Sequence, residues 1–209
     1  MILTVKPGKG DKVHVYIDGA YQTTVDSLYF STCGLRDGAE LSGDEAAKFL
    51  RDANDRRAFN KGAGLLSYQD RTRRQLVERL REDFGEEAAE KAADRLEALR
   101  LLDDTRFAEN YASELLRRKK CAPRRIMQEL LQKGVDRETA EEAVRGLDFA
   151  ADACIIELLQ TKFAGKFRDE KGLRRTIAAL QRLGYGYGDI RSALRQIEIE
   201  GDEDECELD

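Results

Sequence analysis

The sequence predicts a mainly α-helical protein: three tandem three-helix repeats in an elongated array, preceded by a small N-terminal β-hairpin/α segment. Three observations predict it. The composition combines 37% charged residues with two prolines and no tryptophan, which suits amphipathic helices better than a sandwich or barrel. Period-two alternation is confined to the first 27 residues. Three arginine pairs, Arg73-Arg74, Arg124-Arg125 and Arg174-Arg175, recur at spacings of 51 and 50 residues, with apolar residues at fixed offsets behind them.

Taken in order, Ile2, Leu3 and Val5 form a first apolar run, and Val13, Val15 and Ile17 alternate along a second. Asp18-Gly19 is a hairpin turn signal, and Tyr21, Thr23 and Val25 resume the alternation, so Lys12 to Val25 is a hairpin with the first run as a third strand. A helical turn is expected near Leu28 to Cys33. After the breakers Gly34 and Gly38, Ser42 and Glu45 have capping-box spacing for a helix through about Arg57 that buries Phe49 and Leu50.

From Ala58 onward the repeat organises the chain. Each arginine pair is followed after two residues by Leu76, Met127 and Ile177, and further on by Phe84, Val135 and Tyr185, then Ala92, Ala143 and Ala193, then Leu96, Leu147 and Ile197. Each is preceded by a helix with a Leu-Leu step, at Leu65-Leu66, Leu115-Leu116 and Leu158-Leu159. A period near 50 fits neither the tetratricopeptide nor the ankyrin unit. The predicted division is an N-terminal domain at 1–57, repeats at 58–101, 102–148 and 149–198, and a disordered acidic tail at 199–209.

In the middle repeat Asp103 and Asp104 cap a helix carrying Phe107, Tyr111, Leu115 and Leu116, which ends in the basic run Arg117, Arg118, Lys119, Lys120. Pro123 opens the second helix and Gly134 stops it, and Asp136 caps the third. The first repeat has Asp83 where the others have Gly134 and Gly184.

The formal charge of −5 hides the distribution. Residues 198–209 hold eight acids and no base, so the rest of the chain has 36 basic and 33 acidic residues. Asn110 to Val135 and Lys162 to Arg182 each hold seven bases and two acids. His14 is the one histidine and the four cysteines lie far apart, which predicts free thiols, no metal and no cofactor. No apolar run reaches membrane-spanning length and no secretory leader is legible at Met1, so a cytoplasmic protein without membrane contact is expected.

No glycine-rich phosphate loop or nucleophile–base motif is present, so the expectation is a binding protein and not an enzyme. Asp103-Asp104 is the best candidate for a metal pair, and helix capping accounts for it. The arginines are more informative. Cations at a helix start oppose its dipole, so Arg73, Arg74, Arg124, Arg125, Arg174 and Arg175 are read as a ladder of guanidiniums facing an acidic partner, joined by the patch Arg117 to Lys120. Tyr111, Tyr185 and Tyr187 are read as core or rim residues in preference to base-stacking ones, since Tyr185 shares its repeat position with Phe84 and Val135; Tyr187 is the freer.

The segment LLDDTRFAENYASELLRRKKCAPRRIMQELLQKGVDRETAEEAV resembles the central signature of the bacterial RecX regulatory proteins, with its LLDD-x-RFA opening, PRRI step and L-x-x-KGV turn. Residues 58–197 resemble the family's three tandem three-helix units, and residues 1–57 resemble the β-containing extension of its longer members. The resemblance implies a negative regulator of the RecA recombinase in DNA repair, homologous recombination and the SOS response. Such a protein binds the RecA filament and limits its extension, ATP hydrolysis, strand exchange and co-protease activity. The partner implied is the RecA filament; single- or double-stranded DNA is the partner in the alternative reading, a helical-repeat nucleic-acid-binding protein acting without RecA, and a monomer is expected. Asp103, Asp104, Arg106, Phe107, Pro123, Arg124, Arg125, Gly134 and Val135 carry the resemblance, and Phe107, Pro123, Gly134 and Val135 are expected to be structural.

Overall fold

The computed structural model describes residues 1–206, with the backbone alone described from 198 onward. The chain divides into two compact units, Met1–Leu102 and a second that begins at Asp103.

The first unit opens with an antiparallel sheet in the order β1 (Leu3–Pro7), β2 (Lys12–Ile17), β3 (Ala20–Asp26). Asp18 and Gly19 both have positive φ, as a two-residue hairpin turn requires, and pair Ile17 with Ala20. Alternation then puts Leu3, Val15, Ile17 and Val25 on the covered face with Ala46, Phe49 and Ala53. The turn α1 (Ser27–Thr32) is capped by Asp26, which accepts from the Tyr29 amide at 2.7 Å.

Helix α2 (Gly43–Tyr68) starts at the expected capping box: Ser42 Oγ accepts from the Glu45 amide and the Ser42 amide donates to Glu45 Oε2 at 2.8 Å. The Ser42 amide foremost, and the Ser42 hydroxyl donating to the same oxygen at 2.7 Å, hold the Glu45 carboxyl below its usual range. The helix does not stop near Arg57. It runs on through the expected boundary at 57/58 and becomes the first helix of the first repeat. Gly62 sits inside it because a Cβ there would come within 2.8 Å of Leu96 Cδ1 and 3.3 Å of Leu80 Cδ1, so the glycine serves close packing and not a break. Helices α3 (Arg73–Phe84) and α4 (Glu86–Ala98) complete this repeat around Leu76, Leu80, Ala89, Ala92, Ala93 and Leu96.

The second unit holds two further sets of three helices. The first is α5 (Asp104–Lys119), α6 (Pro123–Gln132) and α7 (Arg137–Arg145), closed on Ala108, Ala112, Ile126, Leu130 and Ala140. The second is α8 (Ala151–Gln160), α9 (Glu170–Arg182) and α10 (Tyr187–Cys206), closed on Ile155, Leu159, Leu180, Ile190 and Ala193. The tail expectation at 199–209 falls on residues whose side chains lie outside those described, and 207–209 lie outside altogether.

Burial corrects the register of the repeat. Among the middle helices the most deeply buried positions are Leu76, Ile126 and Thr176, and then Leu80, Leu130 and Leu180, each a strict 50 residues apart. Among the third helices the 51-then-50 spacing holds, through Ala92, Ala143 and Ala193 and through Ala89, Ala140 and Ile190. The connection from α3 to α4 is therefore one residue shorter than its two counterparts. There Gly85, and not residue 83, takes the positive φ that Gly134 and Gly184 take in the other two turns.

A candidate basic cleft between the second and third helix sets

Pro123 occupies the first position of α6, where its missing N–H leaves nothing unsatisfied, and so places Arg124 and Arg125 second and third. The turn between α9 and α10 comes up against this helix start. The Ala122 amide donates to the Leu183 carbonyl at 2.8 Å, and Gly184 lies so close that a Cβ would stand 2.8 Å from Arg125 Cβ and 2.9 Å from Arg125 N. Tyr185, buried, donates its hydroxyl to the Lys120 carbonyl at 2.6 Å, and burial pushes its pKa well up, so it stays a donor. Lys120, in the left-handed conformation, pairs its ammonium with Glu157 of α8 at 2.7 Å, which keeps it protonated.

These contacts border a cleft of about 340 Å³ whose lining holds Arg124, Arg125, Arg182, Gln128, Gln181 and Tyr187, with Gly184 and Tyr185 behind them and no carboxylate among the described residues. Arg125 is neutralised in part by Glu129, one turn along α6. Among the described residues Arg124 and Arg182 make no ion pair, and both are exposed. Tyr187 stands at the rim with 57% of its surface exposed. Cys121, beside the cleft, is buried, and desolvation pushes its thiol pKa up, so it is a packing residue and not a thiolate.

The remaining arginines of the proposed ladder behave differently. The register shift makes Arg74, Arg124 and Arg174 equivalent, and Gln75, Arg125 and Arg175. Arg73 thereby falls about 100° away around its helix and turns to α4, where it meets Glu90 at 2.6 Å, Asp94 at 2.7 Å and Glu97 at 2.9 Å. It is a clamp within its own repeat. Arg74 pairs with Glu78 at 3.0 Å, and Arg174 with Glu170 at 2.5 Å. Asp169 caps α9 five residues before Arg174, so the third pair does not lie at a helix start, where its charge would oppose the dipole. Arg175 lines a separate hollow with Lys166 and Lys171.

In the run Arg117 to Lys120, Arg118 pairs with Glu114 at 2.8 Å while Arg117 and Lys119 make no ion pair among the described residues. Cations in the last turn of α5 are favoured by its dipole, which accounts for part of this run without a partner. Asp103 caps α5 by accepting from the Arg106 amide at 2.9 Å, as its capping role requires. Sequence reasoning passed over Arg182 and Gln128 as site residues; the seven-base stretch containing Arg182 was the one signal for it.

Arg73→Ala is expected to lower the stability of the first unit by about 1 kcal/mol, since three carboxylates lose their shared cation at a partly screened site, and the loss should shrink as salt is raised. Urea unfolding at two salt concentrations measures it.

Two family models match the helix sets, the first three-helix domain of RecX at residues 58–96 and the second at 103–144. Regulatory protein RecX of Prosthecochloris aestuarii is 32% identical over 149 residues, covering 71% of this chain and 98% of that protein. The chain belongs to the RecX family of regulatory proteins. The RecX protein of Clostridioides difficile is 31% identical over 138 residues, 66% of this chain, which spans 65% of that relative's length. The RecX protein of Bacillus velezensis is 28% identical over 207 residues, 95% of this chain and 77% of the relative. A crystal structure described as regulatory protein RecX has the same fold, with a TM-score of 0.69 at 22% identity over 93% of this chain and 98% of the other. The RecX structure from Lactobacillus salivarius gives 0.60 at 24% identity over 70% and 97%. The boundary of the first family domain at residue 58 falls inside α2, so in this member the RecX unit begins within a helix that also serves the sheet.

Proposed function

We propose that this protein is a negative regulator of the RecA recombinase that binds RecA–DNA filaments and limits their assembly, ATP hydrolysis, strand exchange and co-protease activity. The observation that carries it is membership of the RecX family, and the basic cleft gives that membership a contact surface of suitable chemistry. The protein acts by binding in the cytoplasm, as a monomer. Its contact set is Arg124 and Arg125, with Arg117, Arg118, Lys119, Lys120, Arg174 and Arg175 as further cations. Arg73 is taken up by its own carboxylates, and Arg74 is half-spent on Glu78. No described helix is long and apolar enough to cross a membrane.

Titration into RecA hydrolysing ATP on single-stranded DNA tests the reading. Inhibition is expected at protein concentrations well below that of RecA, and ATP hydrolysis unaffected even at parity would count decisively against it. The same cleft favours a second reading, a helical-repeat protein that binds nucleic acid without RecA. Tight binding to bare DNA with a steep salt slope, and no effect on RecA, supports that one.

A further inference from the structure

The cleft between α6 and the α9–α10 turn combines features that a purely protein-facing surface does not need. Two guanidiniums, Arg124 and Arg182, converge on it from different helix sets, 58 positions apart in sequence, and neither has a carboxylate partner among the described residues. A third, Arg125, is tied to Glu129 and so held in place. Beside them an aromatic ring, Tyr187, is left 57% exposed at the first position of α10. Gln128 and Gln181 add amides that both donate and accept. The back wall is fixed by Gly184 against Arg125 and by the Tyr185–Lys120 hydrogen bond, so the cations do not have to be gathered when a ligand arrives.

We propose that this cleft binds the backbone of single-stranded nucleic acid, a phosphate held between Arg124 and Arg182 and a neighbouring base laid on Tyr187. The proposal rests on the reading above only in giving this face an anionic partner. An acidic protein segment would satisfy the guanidiniums but leave the tyrosine face idle, and a duplex would present no unstacked base to it. A single strand uses both, since phosphate matches the planar fork of arginine and every base has a face to stack. The volume of about 340 Å³ is that of a site for one nucleotide and not for a folded surface.

The test is fluorescence anisotropy of a labelled oligothymidylate with the full-length chain, without RecA, over a series of salt concentrations. The double variant R124A/R182A is expected to bind about tenfold or more weakly and to flatten the log–log salt slope by roughly 0.7, for the one phosphate the two arginines share. Tyr187→Ala should weaken binding by about fivefold or more, and Tyr187→Phe, which keeps the ring, should bind as the natural protein does. Arg182→Glu, an exposed change in the last turn of α9, should abolish most binding without touching the core.

Unchanged affinity and slope in R124A/R182A and Arg182→Glu overturns the proposal, as does Tyr187→Phe behaving like Tyr187→Ala. An oligoglutamate peptide that displaces the oligothymidylate at lower concentration than unlabelled DNA also overturns it, in favour of an acidic protein segment. A protein that inhibits RecA but does not bind oligothymidylate sinks the cleft proposal and leaves the regulator standing. One that binds through the cleft and leaves RecA untouched does the reverse.

Discussion

Gly184→Ala should lower the stability of the unit that begins at Asp103 by roughly 3 kcal/mol. Two independent contributions add. The residue has φ +97, a conformation that costs a side-chain-bearing residue about 1–2 kcal/mol. The new methyl also meets Arg125 Cβ at 2.8 Å and Arg125 N at 2.9 Å, and since these are helix backbone and its first carbon they cannot swing aside, so the turn must lift off α6 at an overpacking cost of about 1–3 kcal/mol. Gly85→Ala is the control, with φ +85 and open space around the Cβ, and should lose the conformational part alone. Thermal or urea unfolding of both variants separates the two. Equal losses would show that the third helix set does not press on α6 in solution.

Replacing both Arg124 and Arg125 by alanine should raise the concentration needed for half-inhibition of RecA by about tenfold or more. Each guanidinium forms charge-assisted hydrogen bonds worth ~1.5–3 kcal/mol to an anionic partner, and tenfold corresponds to about 1.4 kcal/mol. The helix itself should hold. Alanine is the better helix former, the change removes cations from a helix N-terminus, and Arg125→Ala keeps the Cβ that Gly184 packs against. Circular dichroism of the double variant is therefore expected to match the natural protein. A collapse of helical signal would make the pair structural and remove it from the contact surface.

The sequence carried most of the architecture because the signals were local. The hairpin at Asp18-Gly19, the capping box at Ser42 and Glu45, and the caps at Asp103 and Asp136 depend on neighbours within a few residues, and all were recovered. The uninterrupted α2 was not: the expected helix ended near Arg57, and what lets the helix run on through Gly62 is the close approach of Leu80 and Leu96, residues distant in sequence. The one-residue shift in the first repeat was hidden by degeneracy. Leu76 and Val77 are both apolar and both buried, so either alignment satisfies the hydrophobic pattern, and Arg73-Arg74 supplied a chance match that favoured the wrong one. The site was half legible. Arg124 and Arg125 stood out by charge, whereas Arg182 and Tyr187 join them only because the α9–α10 turn folds back on α6, a contact between segments distant in sequence that no local pattern announces.

The unbroken α2 has a mechanical consequence. Its 26 residues span about 39 Å at 1.5 Å each, with the sheet resting on its first half and the first RecX domain built on its second. An α-helix resists bending over that length, so the sheet cannot hinge on the repeat as a domain joined by a loop would; anything that grips one end levers the other. A chain shortened to begin at residue 58 would start inside a helix, without the Ser42–Glu45 cap, and would be expected to fray back toward Gly62 and loosen the packing of Leu96.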